Sequence, residues 1–301
     1  MWLLFGLLSA LFLGCYDISK KLALTHNAVL SVLCFSVVGC ALLLSPCWIL
    51  STLQPQWMSG TPFYVPPVDL RAHLYIVLKA IIVLASWVFA YMSMKHLPLT
   101  IVAPINATRP AWTLMGALLV FSEHLSSWQW VGVLVILASF FMFSLVGRKE
   151  GISFTHNKWI YCLLIATFLG AVSGLYDKYL MRHFPRMAVQ AYYVLYQALI
   201  ILPVWWYTHR RSSPSASRFQ WTPALLAISL FLVLSDYAYF YALSLPDSLI
   251  SVLSSVRRAG VIVPFLYGVI VLHDRNPRQK ALCLMGVLAG ICCLLYATFQ
   301  S

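Results

Sequence analysis

Apolar runs of about 20 residues, long enough to cross a ~30 Å hydrocarbon core as helices, alternate along this chain with short breaks rich in basic residues, glycine and proline. They occupy 3–24, 28–50, 74–95, 99–121 and 128–147, and then, after a polar break from Arg148 through Lys158, 159–181, 188–208, 223–244, 249–272 and 281–299. An even count of ten puts both termini on one side of the membrane. Only Ser51–His73 and His209–Thr222 are long connections, and neither holds enough apolar residues to bury a core of its own. Connections as tight as His96-Leu97-Pro98 and Leu245-Pro246-Asp247 force successive helices to run antiparallel.

The two halves echo each other. Gly14-Cys15-Tyr16-Asp17 with Lys20 returns 160 residues later as Gly174-Leu175-Tyr176-Asp177 with Lys178. The third span of each half ends in a Leu-Pro turn, Leu97-Pro98 and Leu245-Pro246, and eleven residues beyond each proline an arginine lies inside the next span, Arg109 and Arg257. Those spans end in Glu123 and Asp274. Because five is odd, the second half must enter the membrane from the opposite side. The predicted fold is an all-α integral membrane protein of ten transmembrane helices, arranged as two inverted five-helix repeats at 1–147 and 152–301.

Composition agrees. The chain is 61% hydrophobic and 9% charged, with a mean hydropathy of +0.84, whereas about a quarter of residues in soluble domains are charged. The formal charge of +12 sits mostly in short loops, where it orients the chain and meets anionic headgroups of membrane lipid. With no polar domain to carry it, nucleic-acid binding is excluded. The eight cysteines lie in apolar runs without CxxC spacing and read as small hydrophobes. The scattered histidines and the absence of HExxH predict no metal site, and no cofactor is expected. The first run lacks a basic leader and a small-x-small cleavage step, so it reads as an uncleaved span of a multi-pass protein of the cell membrane.

The layout of five plus five spans, the Leu-Pro turn into the fourth span, the acid at its end in Phe121-Ser122-Glu123-His124, and the glycine of the fifth in Val131-Gly132-Val133-Leu134 resemble the drug/metabolite transporter superfamily, EamA type. The resemblance covers essentially the whole chain. It implies a carrier for small metabolites whose central cavity is lined by the first four helices of each half, with the fifth and tenth peripheral and offering a surface for a homodimer. His273-Asp274 departs from the glutamate that closes the equivalent span.

A charge near mid-bilayer costs about 2.5 to 3.5 kcal/mol on insertion scales. Nine fall inside spans: Asp17, Lys20, Lys79, Arg109, Asp177, Lys178, Asp236, Arg257 and Arg258. Uncompensated, they would cost on the order of 20 to 30 kcal/mol, so most must line an interior. Asp17 and Lys20, spaced i, i+3, share a helix face and either pair or leave Lys20 to snorkel; Lys21 is expected to snorkel. Asp17 and Asp177, too short to snorkel, serve either proton coupling or a substrate amine, or else structural charge balance in a salt bridge, with Lys20 and Lys178 as their neighbours.

Arg109 lies mid-span between Pro104 and Pro110, one turn after Asn106. The prolines remove donors to the carbonyls of Thr100 and Asn106, which membranes tolerate only against protein or a wet cavity. Arg109 therefore either touches substrate or forms an ion pair with Asp17, Asp177 or Asp236. In the ninth span Ser251, Ser254, Ser255 and Arg258 form one polar stripe, while Pro264 frees the carbonyl of Gly260. The stripe nominates Arg258 and repeat matching nominates Arg257. Asp236 lies near Tyr239 and Phe240, and Trp87 and Tyr91 sit one turn apart in the matching span. Such aromatic walls suit a ligand with a flat or apolar part, and Tyr16 and Tyr176 join them through the repeated motif.

Six basic residues against three acidic ones favour an anionic or zwitterionic substrate. The expected function is secondary transport, as exporter or exchanger, of a small polar metabolite by alternating access. The rivals are a lipid or lipid-carrier flippase and, further off, a membrane enzyme, for which no catalytic constellation is visible. Loops after odd-numbered spans hold most of the basic residues, including Lys95, Arg148, Lys149, Arg210, Arg211 and Lys280. Positive-inside reasoning therefore places both termini outside, whereas the resemblance implies cytoplasmic termini.

Overall fold

The computed structural model describes residues 2–109, 111–113, 115–116, 127–149, 156–211, 219–245, 253, 256–257, 260–273 and 276–300. Apart from a single turn at Pro55–Met58, the helices are α1 (Trp2–His26), α2 (Val29–Leu53), α3 (Leu70–His96), α4 (Leu99–Ala107), α5 (Ser127–Lys149), α6 (Lys158–His183), α7 (Arg186–Arg211), α8 (Pro223–Ser244), α9 (Ile262–Ile270) and α10 (Pro277–Gln300). No strand occurs among the described residues. Six of these helices, α1, α2, α3, α6, α7 and α8, are long and apolar enough to cross a membrane. Together with the lipid-like exposure of Leu4, Leu7, Leu42, Leu78 and Phe168, this makes the chain a multi-pass, all-helical membrane protein.

Helix ends follow local chemistry. Asp69 caps α3 by accepting from the Ala72 N–H at 3.1 Å, and Asn157 caps α6 by accepting from Trp159 at 3.0 Å. Pro98 stops α3 at His96 because a residue before proline is pushed out of helical geometry. The orphan carbonyls there are met by Lys21, whose ammonium donates to Met94 at 2.8 Å and Leu97 at 2.9 Å. Lys21 therefore does not snorkel: an unpaired carbonyl buried at a helix end binds its charge more firmly than a headgroup would.

The fourth and ninth runs are interrupted. α4 continues past position 104 and gives way to a turn at Thr108, two residues before Pro110. The Thr108 N–H folds back onto the carbonyls of Ile105 and Asn106, so the Asn106 carbonyl is satisfied locally. α9 begins only at Ile262, after a turn at Gly260–Val261. Pro264 falls in its first turn, where the Gly260 carbonyl takes the Val263 N–H at 3.1 Å. The carbonyl expected to be free is thus capped.

Among the described helices, packing pairs those of the first half of the chain with those of the second. α1 lies along α8, α3 along α6, α2 along α7, α4 along α9 and α5 along α10. Small residues permit the closest approaches. Ser9 and Ser235 exchange hydroxyl-to-carbonyl bonds at 2.8 and 3.0 Å across α1 and α8. A Cβ at Gly260 would overlap the backbone of Ala10, and one at Gly290 would come within 2.8 Å of the Gly132 carbonyl between α5 and α10. The long first connection folds over one end of the bundle, with the Val65 N–H on Ser51 Oγ at 3.0 Å and Arg186 donating to the Pro62 carbonyl at 3.1 Å. At the other end Asn27 holds the chain before α8 by both atoms of its side-chain amide: its Nδ2 donates to the Gln220 carbonyl at 3.0 Å and its Oδ1 accepts from the Gln220 N–H at 2.8 Å.

Candidate functional site

A polar cavity of about 120 Å³ lies inside the bundle, lined from α1, α3, α4, α6, α7 and α8 and by Arg257. α1 supplies Tyr16, Asp17 and Lys20. The i, i+3 spacing brings the Lys20 ammonium to 2.7 Å from Asp17, 4.4 Å above the Tyr16 ring centre and 5.2 Å from that of Tyr91. Lys20, at 4% exposure, does not reach headgroups. Tyr16 donates to the Tyr91 hydroxyl at 3.4 Å, and that hydroxyl meets Ser36 at 3.3 Å. Tyr91 is thus a support behind Tyr16 and is absent from the cavity lining.

Two further ion pairs join separate helices. Lys79 of α3 donates to Asp177 of α6, with Lys79 2% and Asp177 6% exposed. The Lys79 ammonium also lies 4.7 Å from the Tyr193 ring centre and 5.0 Å from that of Phe240. Asp236 of α8 accepts from Arg257 at 2.6 Å through one oxygen and from the Tyr193 hydroxyl through the other. Arg257 also donates to Ser235 at 3.2 Å and lies 4.2 Å over the Tyr239 ring. In an apolar bundle such pairs persist because removing one partner would leave an uncompensated charge.

Arg109 stands apart. Asp17, Asp177 and Asp236 are all engaged with other cations, and among the described residues no carboxylate lies within 4 Å of Arg109. The guanidinium lies against Gly170 of α6, where a Cβ would overlap it, and its Nε is buried with no hydrogen-bond partner. Thr113 donates to the Arg109 carbonyl at 3.1 Å, and Asn106 accepts from Thr167 at 3.2 Å. Among the described residues the lining therefore holds four cationic side chains, Lys20, Lys79, Arg109 and Arg257, against three carboxylates. Among these described residues one positive charge is in excess, and Arg109 is the cation without a carboxylate partner.

Of the other residues picked out from the sequence, Trp87 and Asn106 line the cavity. Tyr176 does not: its hydroxyl donates to the Tyr75 carbonyl at 3.1 Å and its ring stacks with Tyr179 at 6.0 Å. Lys178 is half-buried and outside the lining. Arg258 and the serines at 251, 254 and 255 lie outside the described residues, while Arg257, the alternative from repeat matching, lines the cavity. Sequence reasoning missed Tyr193, Ser173 and Gly170. A signal existed for the first, since a tyrosine at a buried depth must find a partner for its hydroxyl. Gly170, one turn before Gly174 of the repeated motif, gave none, because its role is to leave room for a side chain from another helix.

No curated protein matches this chain. A solved structure described only as the crystal structure of a protein shares its fold, with a TM-score of 0.65 at 13% identity over 100% of this chain and 98% of that one. The model of the EamA-like transporter family matches twice, at residues 1–145 and 157–296. Those matches take in every described residue of the cavity lining, and the chain belongs to the EamA-like transporter family.

Proposed function

We propose that this membrane transporter carries a small polar metabolite, anionic or zwitterionic, by alternating access in the cell membrane, as an exporter or exchanger. The observation that carries the proposal is the excess positive charge of the cavity, concentrated on an Arg109 that has no carboxylate partner among the described residues. A buried cation in an apolar bundle is costly, and an anionic ligand is the group that compensates it. Ten spans arranged as inverted repeats at 1–147 and 152–301 are supported by the pairing of α1 with α8 and of α3 with α6, which exchange under a two-fold operation. The ion pairs at Asp17 and Asp177 balance the site from the two halves and are the candidates for proton coupling. A volume of about 120 Å³ favours a metabolite over a lipid headgroup. The count of basic loop residues that favours external termini loses weight, because Lys95 donates to the Asn27 carbonyl at 2.9 Å and Lys280, at 0% exposure, donates to Thr100 at 3.0 Å.

The test is uptake and counterflow in proteoliposomes across organic acids, amino acids and sugar phosphates, with Arg109→Ala and Asp17→Ala beside the parent protein. Saturable movement of an anion or zwitterion that Arg109→Ala abolishes is the expected result. Normal transport by a well-folded Arg109→Ala protein would remove Arg109 from the site.

A further inference from the structure

Charge and size together narrow the ligand, and this step rests on the transporter reading above. Each carboxylate among the described lining residues already faces a cation, Asp17 with Lys20, Asp177 with Lys79 and Asp236 with Arg257. A ligand ammonium entering there would meet four cationic side chains and no uncommitted carboxylate among the lining residues. A ligand carboxylate, by contrast, completes Arg109, whose planar guanidinium is matched to two carboxylate oxygens. A dianion would exceed the single charge in surplus. Size sets the second limit. A cavity of about 150 Å³ takes up one benzene, so the 120 Å³ available here suits a body of roughly six non-hydrogen atoms.

We propose that the cavity binds a small organic monocarboxylate on Arg109 and rejects amino acids of the same size, with Gly170 as the positioning residue that leaves the guanidinium its place. L-lactate and L-alanine separate the two ideas, since they share a carboxylate and a three-carbon frame and differ by a hydroxyl in place of an ammonium. Binding to the purified protein in detergent is read by calorimetry. Lactate is expected to bind more tightly than alanine by about tenfold or more, the usual consequence of leaving a buried charge unpaired. Arg109→Met should lose lactate binding, Arg109→Lys should keep a weakened form, and Gly170→Ala should weaken lactate while leaving the protein monodisperse. The parent protein alone decides the main point, so a variant that fails to fold does not rescue the proposal. Alanine binding as tightly as lactate would overturn the proposal and leave the transporter reading intact, and so would selective binding of a phosphorylated sugar or a dicarboxylate. Binding of lactate with no saturable movement of any solute in liposomes would instead overturn the transporter reading.

Discussion

Replacing Lys79 by methionine should be far more damaging than removing Lys79 and Asp177 together. Lys79 is 2% and Asp177 6% exposed, they sit on α3 and α6, and they are each other's only ion-pair partner among the described residues. The single substitution keeps the packing of a long unbranched chain and strands a carboxylate at a depth where water does not compensate it. Breaking a buried pair from one side typically costs about 3 to 5 kcal/mol, whereas replacing both partners by apolar groups is often close to neutral. The Lys79→Met, Asp177→Leu double variant should therefore recover most of the stability, and the coupling between the sites should be about 2 kcal/mol or more. Thermal unfolding in one detergent, followed by loss of the monodisperse peak, ranks the four proteins. If both single variants melt with the parent, as they would if the pair contributed the ~0 to 1 kcal/mol of an exposed salt bridge, the cavity is wet enough to screen charge and the reasoning from burial fails. Function adds a second reading of the same variants. Lys79→Met removes the excess positive charge, so anion affinity should fall, whereas the double variant keeps the excess and should keep the affinity.

Three further outcomes follow from single contacts. Tyr193→Phe removes the donor to one Asp236 oxygen but leaves Arg257 on the other, so stability should fall by about 1 to 3 kcal/mol, seen as a lowered melting temperature without loss of folding. Gly260→Ala places a Cβ against the backbone of Ala10, which cannot swing aside as a side chain could, and should separate α1 from α9 enough to reduce folded yield on gel filtration; a parent-like yield would refute that packing. Lys21→Met leaves the carbonyls of Met94 and Leu97 without their donor and should raise hydrogen exchange at the end of α3 while binding in the cavity stays unchanged.

The helices were legible because membrane spans are read from length and apolarity alone: the eighth expected span, 223–244, coincides with Pro223–Ser244. Seven of the nine charges read as inward line the cavity, since lipid does not accept them, whereas Lys178 does not and Arg258 lies outside the described residues. Their partners were not legible. Lys79 and Asp177 are 98 positions apart, and nothing in either apolar stretch says which of three carboxylates takes which of several cations. Tyr176 shows a subtler failure. The motif makes it the counterpart of Tyr16, but Tyr16 faces the cavity beneath Lys20, and the residue 160 positions after Lys20 is Leu180. Without a cation to cover, the second tyrosine turns to the Tyr75 carbonyl. A repeated motif preserved the backbone address and lost the electrostatic reason for the side chain's direction.

The same kind of mismatch between halves accounts for the one positive charge in excess among the described lining residues. Aligned on the two Leu-Pro turns, 148 residues apart, Arg109 and Arg257 are equivalent. On that alignment Asp236 falls opposite Val88. The second half thus provides its arginine with a carboxylate at 2.6 Å, and the first half has valine at the matching place. Lys20 with Asp17 and Lys79 with Asp177 cancel without reference to the arginines. Had both copies kept the aspartate, the cavity would be neutral, and a ligand anion would have to displace an internal partner to bind. With an aspartate at only one of the two places, Arg257 is paired and, under the proposed anion site, Arg109 is left for the ligand. On the proposed reading, one carboxylate present at Asp236 and replaced by valine at Val88 is enough to divide two arginines in matching positions into a structural residue and a binding residue.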